Sequence, residues 1–286
     1  MAQPTVGIGR PFWKMSGSGN DFVFFDARES GSTPDPLETA ESVAAICRPH
    51  LGVGADGVVF IALSDEALFA IRYYNADGSR ATLCGNASLC AAQSAVNLGL
   101  TAPGRTFHFG SDAGVIAASI DAAGAASVRL APVEALEVVA KEDRGPLERR
   151  IGYAVVGVPH LVVLVDDVAA VDVAGRGRSL RYGALRSPAG ANVNFVSAGS
   201  GADEGAWRMR TYERGVEAET YACGTGAVAS AACLIAWKLA PPGADVRLKT
   251  ASDRVLTVRL PDAGAARWSE LSGEGRVVYS GVLHSL

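Results

Sequence analysis

Short apolar runs separated by turn residues mark strands along the first half of this chain, with one stretch of helical periodicity among them. Runs of about four to eight apolar or β-branched residues bounded by turn residues are typical of buried strands. They predict strands at Phe22–Asp26, Val58–Leu63, Phe69–Tyr74, Thr106–Phe109, Gly114–Ile120 and Ala126–Leu130. Apolar positions at roughly helical spacing predict a helix over Leu37–Ile46.

The same order of elements recurs in the second half. A charged and glycine-rich stretch through Arg181 is interpreted as a connection between strands. The predicted strands lie at Tyr153–Val156, Leu161–Val165, Asn192–Val196, Trp207–Tyr212, Val246–Lys249, Val255–Leu260 and Val277–Leu283.

In each half, a cysteine precedes the clearest helical stretch. Cys84 is followed by Gly-Asn and Cys223 by Gly-Thr, and small or apolar residues without proline follow each pair. That composition favours a buried helix. The two cysteines are 139 residues apart (223 − 84), close to half of the 286-residue chain, which indicates a duplicated domain.

The predicted fold class is therefore α+β. We expect two pseudo-symmetric domains, each a curled antiparallel sheet or barrel around one central helix. The segment Lys141–Pro146 contains charges, a glycine and a proline, and is the natural boundary. The expected domains are residues 1–140 with Cys84 and residues 147–286 with Cys223, and the active site is expected in a cleft between them.

Composition excludes several classes of function. The formal charge is −4, and no basic run of the kind that binds nucleic acid is present. No stretch of apolar residues is long enough to predict a membrane span, and residues 1–10 lack the pattern of a signal peptide. Five cysteines without a regular framework do not indicate a disulfide-stapled domain, so a reducing cytoplasm is the expected location.

A thiol at the start of a helix lies near unpaired N–H groups and the positive end of the helix dipole, which favours the thiolate. A pair of such thiols can invert a carbon centre, because one removes a proton from one face and the other returns a proton to the opposite face. The backbone of Gly85-Asn86 and of Gly224-Thr225 is placed to stabilise the charge that develops. None of the four lysines stands in a context that suggests a Schiff base with pyridoxal phosphate, so chemistry without a cofactor or metal is expected.

Eight short motifs, in order along the chain, resemble the diaminopimelate epimerase family. The resemblance implies an epimerase, independent of pyridoxal phosphate, that interconverts LL- and meso-diaminopimelate for lysine and peptidoglycan synthesis, and it implies a homodimer. The motifs are Met15–Phe22, Gly52–Gly57, Asn75–Ser79, Cys84–Asn86, Gly157–His160, Asn192–Phe195, Tyr212–Gly215 and Ala222–Gly226.

The resemblance also implies roles for individual residues. Cys84 and Cys223 are implied to be the two acid/base residues, and His160 an auxiliary residue beside the thiols. The implied substrate-binding residues are Asn20, Asn75, Gly85, Asn86, Asn192, Glu213, Arg214, Gly224 and Thr225.

Two departures from the family pattern leave the substrate open. Val158 stands where the family often has asparagine, and Ala87-Ser88-Leu89 replaces a stretch that usually contains glycine and arginine. The alternatives are a racemase of the same family that acts on another amino acid, and a homologue that binds an amino acid without catalysis.

Other interpretations of the cysteines exist. Cys47, Cys90 and Cys233 are expected to be core residues, because a buried free cysteine usually packs as a small apolar side chain. The spacing of cysteines and histidines does not match a zinc site. A reversible disulfide between Cys84 and Cys223 would define a redox protein instead.

Overall fold

The computed structural model describes residues 9–31, 33–138, 144–183, 189–261 and 268–286. Within these ranges the longer helices are α1 (Ala40–Cys47), α2 (Gly85–Asn97), α3 (Val173–Tyr182) and α4 (Gly224–Ala236). The strands are β1 (Arg10–Gly17), β2 (Asn20–Asp26), β3 (Gly57–Ala62), β4 (Ala70–Asn75), β5 (Arg80–Ala81), β6 (Thr106–Ser111), β7 (Gly114–Ile120), β8 (Ala126–Leu130), β9 (Ala135–Val138), β10 (Glu148–Val156), β11 (Val158–Val165), β12 (Asn192–Ala198), β13 (Trp207–Glu213), β14 (Ala218–Thr220), β15 (Asp245–Lys249), β16 (Val255–Arg259), β17 (Ser269–Gly273) and β18 (Arg276–Leu283).

The chain forms two compact units whose limits differ from the expected domains. Unit 1 contains Met1–Val128 and Glu274–Leu286, and unit 2 contains Arg129–Gly273. The last strand was expected in the second domain, but β18 pairs antiparallel with β1 and therefore belongs to unit 1. The first three residues of the predicted boundary, 141–143, lie outside the described residues.

In unit 1, the sheet runs in the order β18, β1, β2, β3, β4, with the β2–β3 pair parallel and the other pairs antiparallel. Helix α2 packs against β1, β2 and β7, and ten of its residues are buried. An apolar cluster on this sheet contains several aromatic rings, and its Phe25 and Phe60 stack with ring centroids 5.4 Å apart. The small side chains of α2 allow it to lie deep in the unit, because they let the backbone approach the strands closely.

Unit 2 repeats this arrangement. Strands β9, β10, β11, β12 and β13 are consecutive neighbours, and again one pair, β11–β12, is parallel while the others are antiparallel. Helix α4 packs against β10, β11, β12 and β16. Helices α2 and α4 each have 13 residues and each follow an antiparallel strand pair. The repeat confirms the predicted α+β class.

Helix α3 corrects the prediction of a connection through Arg181. Its start is fixed by Asp172, whose carboxylate accepts a hydrogen bond from the backbone N–H of Gly175 at 2.9 Å. A Cβ at Gly177 would lie 2.5 Å from the Cβ of Tyr212, so glycine allows the helix to lie against β13. Tertiary packing thus overrides the low helix propensity of the glycines in this segment.

A buried ion pair anchors β4, the strand that ends at Asn75. Arg72 makes a two-pronged contact with Glu38, including Nε to Oε2 at 2.6 Å, and the hydroxyl of Tyr74 donates to the same carboxylate at 3.2 Å. The Glu38 side chain is only 1% exposed. Its charge is compensated by these two partners and by the backbone N–H of Asp35, which donates to Oε1 at 2.8 Å.

We expect Arg72→Met to lower the free energy of unfolding by about 3–5 kcal/mol, because it leaves the Glu38 carboxylate buried without its cation. The matched control is Arg149→Met, which removes an equally two-pronged pair with Asp166 that is about two-thirds exposed. The free energy of unfolding of the control, measured in urea, should equal that of the wild type. Equal urea midpoints for the two variants would contradict the stabilising role of the buried pair.

Candidate active site

Cys84 occupies the residue immediately before helix α2 in unit 1. Its backbone is extended (φ −135°, ψ 121°), and its carbonyl accepts the first helical hydrogen bond from the N–H of Ser88 at 2.9 Å. Its side chain does not cap the helix. The N–H groups of Gly85, Asn86 and Ala87 point out of the first turn as they do in any helix, so the thiol stands at the positive end of a buried helix dipole.

Asn20 and Asn86 are brought together beside Cys84. The Nδ2 of Asn86 donates to the Oδ1 of Asn20 at 2.5 Å, and the Nδ2 of Asn20 donates to the carboxylate of Asp56 at 3.0 Å. The N–H of Asp56 in turn bonds the carboxylate of Asp21 at 2.9 Å. This chain of contacts fixes both predicted asparagines relative to the first turn of α2.

Asn75 lies at the same end of the sheet as Asn20. It ends β4 opposite Gly57, and Gly57 is the β3 partner of Phe22 on the strand that Asn20 begins. The Nδ2 of Asn75 donates to the hydroxyl of Ser79 at 3.0 Å across a tight turn. Gly78 supplies the positive φ of 85° that this turn requires.

Cys223 occupies the corresponding position before helix α4 in unit 2. Its backbone (φ −134°, ψ 109°) nearly repeats that of Cys84, and its carbonyl accepts from the N–H of Ala227 at 2.9 Å. The side chain is 7% exposed, and its Sγ lies 3.6 Å from the hydroxyl of Thr225. Both catalytic candidates therefore have the same local geometry.

Asn192, Glu213 and Arg214 lie together at the start of β12 and the end of β13. The Oδ1 of Asn192 accepts from the backbone N–H of Arg214 at 2.8 Å. Glu213 accepts from the hydroxyl of Thr220 at 2.8 Å. Among the described residues, no carboxylate forms an ion pair with Arg214, so its guanidinium can pair with an anionic ligand.

His160 lies on β11 directly opposite Asn192 and is completely buried. Its Nδ1 is 3.2 Å from the Nδ2 of Asn194. Burial, with a smaller contribution from the positive charge of Arg214, lowers the pKa of His160 to about 3. The side chain is therefore neutral near pH 7.

The other three cysteines behave as core residues, as expected. Cys47, Cys90 and Cys233 are at most 3% exposed. Burial raises the pKa of Cys47 and of Cys233 to about 12, and raises that of Cys90 well above its usual value. These thiols stay protonated and do not act as nucleophiles or bases near pH 7.

Three polar residues that help to build the site were not predicted: Asp56, Asn194 and Thr211. Asn194 and Thr211 are at most 1% exposed. The alternation of asparagines at Asn192 and Asn194 was the available signal, because residues two apart in a strand face the same side of the sheet. For Asp56 the available signal was its place in the motif Gly52–Gly57. Val158, the main departure from the family pattern, is half-buried at the first position of β11.

Comparison with known proteins gives one consistent result. The family model described as diaminopimelate epimerase matches residues 12–135 and 152–269. A protein of Gemmatimonas aurantiaca named diaminopimelate epimerase is 44% identical, over 96% of this chain and 99% of its own length. One from Aquifex aeolicus with the same name is 42% identical over 77% of this chain and 79% of its own.

Solved structures share the fold at low sequence identity. A Bacillus anthracis phenazine biosynthesis protein of the PhzF family has a TM-score of 0.72 at 14% identity, and covers 96% of this chain and 99% of its own. A probable proline racemase of Agrobacterium radiobacter has a TM-score of 0.64 at 17% identity, and covers 95% and 92%. No helix among the described residues is long and apolar enough to cross a membrane.

The buried His160 makes stability depend on pH. Its pKa is lower in the folded chain than its ordinary value near 6.5, so the unfolded chain binds a proton first as the pH falls. The contribution of His160 to the free energy of unfolding is thus fully present above pH 6.5 and is lost as the pH falls towards 3, by at most about 1.4 kcal/mol per pH unit.

We expect wild type to lose about 1–2 kcal/mol more than His160→Gln between pH 7 and pH 5, measured by urea unfolding of both. Carboxylates titrate equally in the two proteins, so the difference isolates the histidine. Parallel stability curves would contradict the buried neutral state.

Proposed function

Because this chain belongs to the diaminopimelate epimerase family, we propose that it converts LL-diaminopimelate to meso-diaminopimelate by inverting one α-carbon, without pyridoxal phosphate. The observation that carries this proposal is the pair of cysteines, each immediately before a buried helix with nearly the same backbone geometry. Relatives named diaminopimelate epimerase that align over most of the chain support it.

The proposed reaction uses two thiols as acid and base. The thiolate of one cysteine takes the α-proton, and the electrons of the C–H bond remain on the carbon, next to the carboxylate. The thiol of the other cysteine then delivers a proton to the opposite face and becomes a thiolate. Cys84 and Cys223 exchange these roles in the reverse direction.

The weak acidity of the α-carbon is the main obstacle to this reaction. N–H groups in the first turns of α2 and α4 can stabilise the substrate carboxylate as negative charge spreads into it. Gly85 and Gly224, next to the thiols, allow the substrate to approach the backbone closely. The remaining binding residues supply complementary charges, with Arg214 as partner of a carboxylate and Glu213 as partner of an ammonium group.

Arg214 favours a substrate with a second carboxylate, because an unpaired guanidinium is costly to desolvate without an anion. Val158 cannot offer the polar contact that asparagine would make. We propose that the asparagines Asn20, Asn75, Asn86 and Asn192 provide enough polar contacts to hold diaminopimelate. The product would enter lysine and peptidoglycan synthesis, and the enzyme would work in the cytoplasm.

We expect Cys84→Ala and Cys223→Ala each to lower epimerisation by at least about 1,000-fold, since each removes one of the two proton carriers. Each variant should still exchange the α-hydrogen of one stereoisomer with deuterium, which mass spectrometry in heavy water detects. Cys47→Ala is the control, because that thiol is buried in the core of unit 1. Full epimerisation by both cysteine variants, or deuterium uptake only with another amino acid from a test panel, would contradict the proposal.

The proposed assembly is a homodimer that meets along β18. Val277, Val278, Tyr279 and Val282 are 40–47% exposed on this strand. Among the described strands, β18 pairs only with β1, so its other edge has unpaired backbone groups. An exposed apolar edge strand is a natural surface for pairing with a second copy.

We expect light scattering after size exclusion to give twice the chain mass, and Val278→Lys with Val282→Lys to give a monomer, because charges on this edge oppose strand pairing. Leu51→Lys is the control, since Leu51 is 79% exposed on a loop of unit 1. A monomeric wild type, or a double variant that stays dimeric, would contradict this surface.

A further inference from the structure

A buried polar network lies beneath the first turn of helix α4. His160, Asn194 and Thr211 are at most 1% exposed. Asn194 contacts both of the others, with Nδ2 3.2 Å from the Nδ1 of His160 and Oδ1 2.9 Å from the hydroxyl of Thr211. A Cβ at Gly226 would lie 2.2 Å from the Oδ1 of Asn194 and 3.2 Å from the Sγ of Cys223, so the network lies directly against the cysteine's own turn.

The orientation of the Asn194 amide follows from its neighbours. Its Nδ2 is 3.2 Å from the backbone carbonyl of Leu161, and a carbonyl can only accept. The atom facing Leu161 is therefore the NH₂ group, and the same group faces the Nδ1 of His160. Because an amide nitrogen only donates, that Nδ1 must be the accepting, unprotonated nitrogen of the ring. The proton of the neutral ring is then on Nε2.

The corresponding positions of unit 1 carry aromatic or aliphatic side chains. In the parallel pair β11–β12 of unit 2, the first residues that face each other are His160 and Asn192. In the parallel pair β2–β3 of unit 1, they are Phe22 and Gly57. Two residues further along, Asn194 faces Thr211, whereas the equivalent Val59 faces Tyr73. The duplicated fold therefore forms without this network, which indicates that the network serves the chemistry of one half.

The third residue of the cysteine helix also differs between the two units. It is Gly226 in α4, where the Asn194 amide leaves no room for a Cβ. It is Ala87 in α2, where Val59 takes the place of the asparagine.

We propose that Asn194 is a positioning residue that holds His160 in its Nε2–H form, so that His160 donates a hydrogen bond to an anionic acceptor and does not act as a base. The Nε2 atom is fully buried, and among the described residues it makes no hydrogen bond. A buried N–H without an acceptor loses its hydrogen bond to water, and an anionic ligand would restore that bond. The low pKa of His160 agrees with a ring that stays neutral.

The identity of this anionic acceptor rests on the proposed function. Two anions of that reaction have the required chemistry: the thiolate of a catalytic cysteine and the carboxylate of the amino acid. Arg214, whose positive charge contributes to the lowered pKa of His160, can pair with the same carboxylate. A donor of this kind stabilises negative charge without a proton transfer of its own.

The first test observes the tautomer without any substrate. The chain has four histidines, so ¹⁵N-labelled protein gives a short list of ring signals, which His160→Gln assigns by loss of one set. We expect the wild-type His160 to show a protonated Nε2 and an unprotonated Nδ1 at pH 7.5. In Asn194→Asp, a carboxylate would accept from the ring and the proton should move to Nδ1. A protonated Nδ1 in the wild type would overturn the proposal.

The second test separates a donor from a base. In His160→Gln, the side-chain amide can still donate near the former Nε2 but cannot accept a proton, so we expect kcat/KM within about 10-fold of wild type. In His160→Leu, which removes the donor, we expect a loss of about 100- to 1,000-fold. Equal losses in the Gln and Leu variants would indicate a base and overturn the proposal.

Two further readouts identify the acceptor and keep the inference separate from the proposed function. If the acceptor is a thiolate, His160→Leu should slow alkylation of a catalytic cysteine by iodoacetamide in the absence of substrate. If it is the carboxylate, alkylation should be unchanged and KM should rise. An effect on neither would overturn the donor role. The ring signals of the wild type report the tautomer of His160 whether or not diaminopimelate is the substrate. The cysteine variants test the proposed reaction whether or not Nε2 carries the proton.

Discussion

The positive end of a buried helix immediately beside an extended cysteine is the constraint on which the rest of this protein depends. At Cys84 and at Cys223 the backbone is extended for one residue and helical from the next. The change of direction leaves the N–H groups of the first turn without helical partners. Burial of both helices among strands keeps water away from the dipole and so preserves its effect on the thiol. The small residues that follow each cysteine are what allow this burial.

The two units have similar strands and cysteine helices, but different polar side chains lie next to these helices. In unit 1, the asparagines Asn20 and Asn86 contact each other directly, and Asp56 fixes the first of them. In unit 2, the comparable space beneath the helix holds the amide of Asn194 and the ring of His160. A reaction that inverts a carbon requires two proton carriers but not two identical surroundings, because the substrate itself is not symmetric about the reacting carbon. The two units therefore share a framework but differ in the polar side chains beneath each cysteine helix.

Local patterns in the sequence were sufficient for the repeated elements and for the cysteine helices, since apolar runs and small-residue stretches act over a few neighbouring positions. They failed for α3, where two glycines gave the appearance of a loop and only packing against Tyr212 makes a helix favourable. They located the strand at Val277–Leu283 but not its partner, because β1 lies more than 250 positions away. The site residues named from motifs lie at strand ends and helix starts. Asn194 was missed because its importance depends on which atom of its amide faces a carbonyl, and periodicity carries no such information.

The pairing of β18 with β1 also determines the order in which the polypeptide can mature. Unit 2 is one continuous segment, Arg129–Gly273, and is complete once that segment has left the ribosome. Unit 1 needs a strand, β18, supplied by residues that follow all of unit 2 in the chain. The part of unit 1 that precedes unit 2 thus emerges early but must wait, with one edge of β1 unpaired, until β18 has been synthesised. Unit 1, which begins to emerge before unit 2, is therefore the unit that completes its sheet later.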